Sequence, residues 1–256
     1  QTDFQAMTIN DVTYLSVFPN NKSKKRYSDI EAIVSLCNSK FSQLNFASKK
    51  IYTCTIPSNK PKDIEFYKID EVDFSEFNKF AILNYNRLFD SKFMINFHCD
   101  GFIMNANSWQ DDFLKYDYIG SPFDAGGLRK PCAGNGGFSL RSKKFCNEFK
   151  KLFLELPKEY QNLPEDFLSC HILRGLLIEK GIKFAPFELC SQFSTEHLSS
   201  KDEYFYTSFG MHEFKPISRQ EIIDRSLNVD MKFISQNPEK VKKHRERIQF
   251  EIFNEK

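Results

Sequence analysis

The sequence predicts an α/β fold in which a mostly parallel sheet is flanked by helices. Three observations predict it. Short β-branched and aromatic runs alternate with stretches of helical spacing over about the first hundred residues. Those runs are apolar enough to be strands buried on both faces. They end in polar or glycine turns, Pro19-Asn20-Asn21 and Asp100-Gly101, on the edge where ligands of such sheets bind.

VTYLSV at 12–17 reads as a buried first strand running into a polar loop. Residues 27–41 carry Ile30, Ile33, Val34 and Cys37 at helical spacing. Strands follow at 51–55 and 64–69, then a helix over 73–88 with Ser75 as its candidate cap. FMINFH at 93–98 is a further strand that enters Cys99-Asp100-Gly101. The second half is less regular. It offers YDYIG at 116–120, a Phe138-Ser139-Leu140 strand, and a helix over 164–180 with Leu168, Ile172 and Leu176 on one stripe. Phe184-Ala185-Pro186 reads as a short strand or turn, and the chain after Pro216 is polar and helical.

A chain of 256 residues can bury a substantial core as one large domain or two small ones, and no repeat or linker forces two. The net charge of +2 does not imply nucleic acid, which needs a clustered basic surface. Seven cysteines without a C-x-x-C pair favour reduced thiols over a disulfide framework or a structural zinc. No apolar run approaches the roughly 20 residues that span a bilayer. The first residues show no signal-peptide pattern, so the expectation is a soluble, cytoplasmic protein.

Three of the ten glycines fall within four positions, in Gly134-Asn135-Gly136-Gly137. Such backbone can take positive φ or lie against a flat or charged ligand. Asp100 at a strand end is either a turn residue or a ligand for a hard cation. Glu165-Asp166 opens a helix, where the macrodipole favours acids; the functional reading makes one a general base and the other its partner. Arg129, Lys130 and Arg141 bracket the glycines and are either a grip for a diphosphate or solvated charges. His212 lies in a loop-like segment and reads locally as an ordinary histidine or as a ligand. Trp109, with Asp111, Asp112 and Phe113, reads as packing beside a helix start or as an aromatic platform for a sugar face. The basic run at 240–247 is the wet face of a helix, or a contact for an acidic membrane surface or partner.

Asp100-Gly101-Phe102-Ile103, Trp109, FLKYDYIGSP at 113–122, GNGGFSLRS at 134–142 and Glu165-Asp166 together resemble a family of poorly characterised glycosyltransferase-like proteins. The family is classed as a domain of unknown function and occurs in microbes and large viruses. The match in order and spacing covers about residues 93–212. It implies a GT-A-like fold, with a Rossmann-type, mostly parallel sheet in a single domain (1–215) and a basic helical extension (216–256).

The resemblance also implies a chemistry: transfer of a sugar from a nucleotide-diphosphate donor, a UDP-sugar, to a hydroxyl acceptor with inversion. By position, Asp100 corresponds to the last acid of the Asp-x-Asp metal motif, and His212 to a late histidine completing a Mn²⁺ or Mg²⁺ site. His98 stands where the first Asp would be, a departure from the pattern. Asn135, Gly136 and Gly137 would underlie the donor sugar, and the loop from Val17 to Lys22 would meet the nucleoside. Asp166, with Glu165 second, would take the acceptor proton. One alternative is a nucleotidyltransferase, against which the glycine-free loop Val17-Phe18-Pro19-Asn20-Asn21 counts. The other is a non-catalytic carbohydrate- or nucleotide-binding protein, which His98 in place of an acid favours.

Overall fold

The computed structural model describes residues 7–18, 44–58, 60–98, 101–103, 105–123, 132–195 and 208–212. The helix expected over 27–41 and the extension over 216–256 lie outside them.

The first half follows its sequence pattern. Strands β1 (Thr8–Phe18), β2 (Asn45–Thr53), β3 (Glu65–Lys68) and β4 (Phe93–Phe97) lie in the order β3-β2-β1-β4, all parallel. β4 is buried along its whole length and β1 from Val12 to Phe18. Tyr14 of β1 stacks between Phe46 and Phe97, with ring centroids 5.0 and 4.2 Å away. Helix α1 (Phe74–Asn84) joins β3 to β4. Its cap is Asp73, whose extended backbone precedes the first turn, so Ser75 falls inside the helix.

The second half turns the sheet into a mixed one. Strands β5 (Gly101–Ile103), β6 (Tyr118–Gly120), β7 (Pro122–Phe123) and β8 (Cys132–Ala133) precede β9 (Phe138–Ser142). β9 inserts between β4 and β6 and runs antiparallel to both. The expectation of a mostly parallel Rossmann-type sheet is corrected to this extent, because strand direction depends on pairing that no local run encodes. Strands β10 (Ser194–Thr195) and β11 (Gly210–His212) form a separate small sheet in the order β10-β11-β5.

Helix α2 (Lys143–Glu155) was not expected, although Phe145, Cys146, Phe149, Leu152 and Phe153 recur at helical spacing and are buried. Ser142 caps it by accepting from the Phe145 N–H at 2.9 Å. The single helix expected over 164–180 is three pieces: α3 (Glu165–Phe167), a π turn (Leu168–Ile172) and α4 (Arg174–Glu179). The π turn shows in the Leu173 N–H bonding the Leu168 carbonyl at 2.7 Å, five residues back. It inserts one residue, so the buried stripe continues from Leu168 to Leu173 and Leu177, while Ile172 and Leu176 are exposed. Phe184 bridges Tyr118, and helix α5 (Phe187–Phe193) follows Pro186. Trp109, Phe113, Phe138, Phe193 and Phe209 form an aromatic cluster, and the Trp109 indole N–H reaches Asp111 at 3.2 Å.

Candidate active site

The register sets the place. Asn96 pairs with Ser139 and Phe97 with Phe138, so the Gly136–Gly137 turn continues directly beyond the end of β4. There the His98 N–H donates to the Gly137 carbonyl at 2.8 Å. Three donors hold the Gly136 carbonyl: Asn96 Nδ2 at 2.8 Å, Ser139 Oγ at 3.0 Å and Arg141 Nη2 at 3.2 Å. Asn96 Oδ1 in turn accepts from the Tyr85 hydroxyl at 2.9 Å. The Asn135 side chain closes onto the Gly137 N–H at 2.7 Å, and the buried Tyr118 hydroxyl donates to the Gly134 carbonyl.

Arg141 of β9 points inward and is 1% exposed. Its guanidinium lies 5.2 and 5.4 Å from the ring centroids of Tyr85 and Tyr118. Nη1 and Nη2 grip Glu165 Oε2 and Oε1 at 3.0 and 2.6 Å, a bidentate charge-assisted pair, while Nε donates to Ser139 Oγ at 2.9 Å. Burial works against the Arg141 charge, yet Glu165 beside it holds its pKa well above the ordinary value. Burial lifts the Glu165 carboxyl above its usual range, Arg141 pulls it back, and Asp166 adds to the rise. The fork-to-fork geometry favours the charged form of both partners against that burial.

Asp166 is only half-buried. Its Oδ2 accepts from the Gly136 N–H at 3.1 Å and its Oδ1 from the Phe167 N–H at 2.8 Å. The π turn after it carries Cys170 back to the Gly134 carbonyl, with Sγ at 3.7 Å. Both residues of the acidic pair therefore meet the glycine turn, one through Arg141 and one directly.

On the other side, His212 of β11 pairs with Gly101 of β5. Its ring lies against Gly137, where an added Cβ would overlap the imidazole. The His98 ring is 5.9 Å from His212 in edge-to-face orientation, and also 5.9 Å from Phe77. The His212 ring is buried, and its Nε2 edge is the part nearest Gly137. Among the described residues, no group of three His, Cys, Asp or Glu side chains is disposed to hold a metal.

The structure thus brings Asn135, Gly136, Gly137, Arg141, Glu165 and Asp166 into one network and sets His98 and His212 at its edge. Arg141, expected at a diphosphate, instead has both terminal nitrogens on Glu165. The bare backbone expected to face a ligand has the protein's own side chains against it: an added Cβ at Gly136 would overlap Glu165. The glycines are needed for space, since Gly181 is the described glycine with positive φ. Val17 is buried in β1, whose neighbouring Ser16 Oγ donates to the Phe97 carbonyl at 2.8 Å. Asp100, Arg129, Lys130 and residues 19–22 lie outside the described residues, as does the basic run at 240–247. Asn96, Ser139, Tyr85 and Tyr118 were not foreseen. A polar Asn in the otherwise apolar FMINF strand was the available signal.

With its mixed sheet and flanking helices, the chain has an α/β fold that is broadly GT-A-like. One solved structure bears on this fold, and a second is similar to the chain. The apo-form glycosyltransferase GlyE of Streptococcus pneumoniae TIGR4 superposes with a TM-score of 0.50 at 12% identity, over 93% of this chain and 64% of that one. A glycosyltransferase involved in glycosylation of the major capsid of PBCV-1 gives a TM-score of 0.49 at 13% identity, over 84% of this chain and 98% of that one. At such identities the likeness concerns the fold. The chain belongs to the family described as protein of unknown function (DUF5672), whose pattern matches residues 73–212, more than half of it. That span holds the whole network from Tyr85 to His212. No curated protein matches the chain. No helix among the described residues is long and apolar enough to cross a membrane.

Proposed function

We propose that the protein is a glycosyltransferase that moves a sugar from a nucleoside-diphosphate donor, a UDP-sugar, to a hydroxyl acceptor with inversion. The observation that carries this reading is the half-buried Asp166 carboxylate, fixed by the Gly136 N–H at the carboxyl end of β4. A carboxylate held there can accept a proton from an acceptor hydroxyl. As that oxygen bonds to the anomeric carbon, the bond from the carbon to the diphosphate oxygen breaks, and its electron pair leaves with the diphosphate. A single displacement inverts the anomeric centre. The donor sugar would lie near Asn135, Gly136 and Gly137, and the loop after Val17 would meet the nucleoside.

His98, His212 and Asp100 are the residues that would hold a divalent cation. One carboxylate with two imidazoles suits Mn²⁺ better than Mg²⁺, which prefers oxygen ligands throughout. Such an ion would supply charge neutralisation for the diphosphate. The ring spacing of His98 and His212 is what supports this donor set. Arg129 is a further candidate for the diphosphate.

The test is a panel of nucleotide-sugars with Mn²⁺, read by thermal shift and by donor hydrolysis. The expectation is a UDP-sugar that stabilises the protein and is slowly hydrolysed. Asp166→Asn should then lose at least about a hundredfold in turnover while UDP binding stays within twofold. An Asp166→Asn protein with full turnover removes the base from this scheme. Nucleotide or sugar binding without turnover replaces the enzyme with a binding protein on the same fold.

A further inference from the structure

We infer that Arg141 and Glu165 are a positioning pair that aligns Asp166 against the Gly136 turn, rather than a phosphate grip and a second base. The inference rests on the proposed role of Asp166. Four observations carry it. The two Glu165 oxygens are both taken by Arg141, at 3.0 and 2.6 Å, and Glu165 is 6% exposed, so neither oxygen faces an acceptor. The same Arg141 Nη2 that holds Oε1 also donates to the Gly136 carbonyl. The N–H of that same glycine donates to Asp166 Oδ2 at 3.1 Å. Glu165 and Asp166 are consecutive residues at the start of α3.

These contacts close a ring: Gly136 carbonyl, Arg141, Glu165, the peptide to Asp166, the Asp166 carboxylate and back to the Gly136 N–H. A ring of this kind transmits the fixed orientation of one side chain to its neighbour. Arg141 is itself immobilised by Ser139 Oγ and by the rings of Tyr85 and Tyr118. Glycine is required at 136 because a Cβ there would displace the Glu165 carboxylate. Lysine could not reproduce the arrangement, since one ammonium cannot span both carboxylate oxygens and the carbonyl in a plane.

The experiment uses the full chain and two readouts. The Gly136 amide, followed by NMR, reports its hydrogen bond to Asp166 with no substrate present. Turnover of whichever UDP-sugar the wild-type protein hydrolyses, with Mn²⁺, reports the base. In Arg141→Lys, the Gly136 amide should exchange at least about tenfold faster while the Leu140 amide in β9 is unchanged. Turnover should fall about 10- to 100-fold with donor KM within twofold. Arg141→Met/Glu165→Met removes both charges at similar volume, so it covers the case in which a single variant fails to fold; it should show the same two changes. Unchanged Gly136 protection in both variants would overturn the inference, as would unchanged turnover. A Glu165→Gln protein as inactive as Asp166→Asn, with Gly136 protection intact, would make Glu165 itself the base and also overturn it. If the wild-type protein turns over no nucleotide-sugar, the reading of the function fails, and the Gly136 amide alone decides the alignment.

Discussion

Two adjacent glycines have opposite surroundings. At Gly136 the space left by the missing side chain is filled by Glu165 and Arg141, a buried ion pair whose every contact is inside the protein. At Gly137 it is filled by His212, next to the half-buried His98. The first is a fixed anchor, charged and held in several directions. The second is a pair of imidazoles at the end of the sheet, one buried and one half-buried, with ring centroids 5.9 Å apart. The difference teaches that a Gly-Gly turn can serve as a junction, with a buried ion pair on one side and two imidazoles on the other.

The sharpest way to break this contrast is to remove one half of the anchor. Arg141→Met should cost about 3–5 kcal/mol, because it strands the Glu165 carboxylate in the interior. Arg141→Met/Glu165→Met should cost much less, since no charge is left unpaired. Urea denaturation of both measures the gap; equal losses would mean the pair is not what holds the turn. The glycines come next. Gly137→Ala should destabilise by about 1–3 kcal/mol, as the His212 ring is forced aside. Gly136→Ala should cost more than Gly137→Ala, because the Glu165 carboxylate cannot yield without leaving Arg141. The reverse order, measured the same way, would cancel the contrast.

A smaller effect probes the histidine side. His212→Ala should cost about 1–2 kcal/mol, because the buried ring leaves a cavity beside Gly137. It should also abolish any thermal shift produced by Mn²⁺, and EDTA should do the same to the wild-type protein. The smallest effect lies behind the anchor. Burial pushes the Cys146 thiol up to about 12 from an ordinary 9.0. It should resist iodoacetamide at pH 8 until the protein unfolds, as peptide mapping would show. The unfolded thiol loses its proton first, so this group's contribution to stability falls as pH rises between those two values.

Local pattern carried much of the fold and part of the site. β1 and β4 were visible because a strand buried on both faces writes itself as a continuous apolar run. Glu165-Asp166 and the glycine cluster were visible as residue types out of proportion to their surroundings. Helix α2 was missed although its buried positions follow helical spacing and its lysines take polar positions between them. The stripe Leu168, Ile172, Leu176 failed for a different reason. Helical spacing assumes an unbroken helix, and the π turn moved the face by one residue, to Leu173 and Leu177.

The sequence by itself determined the α/β character, the parallel first half, and the presence of a glycine turn, an acidic pair and a late histidine. Each of these is written in neighbouring residues. Only the tertiary structure decided the antiparallel insertion of β9, the pairing of Arg141 with Glu165 across 24 positions, and the seating of His212 against Gly137. Those depend on which surfaces meet after folding. An arginine facing water and an arginine facing a buried carboxylate look the same in a sequence, because only burial and distance separate them.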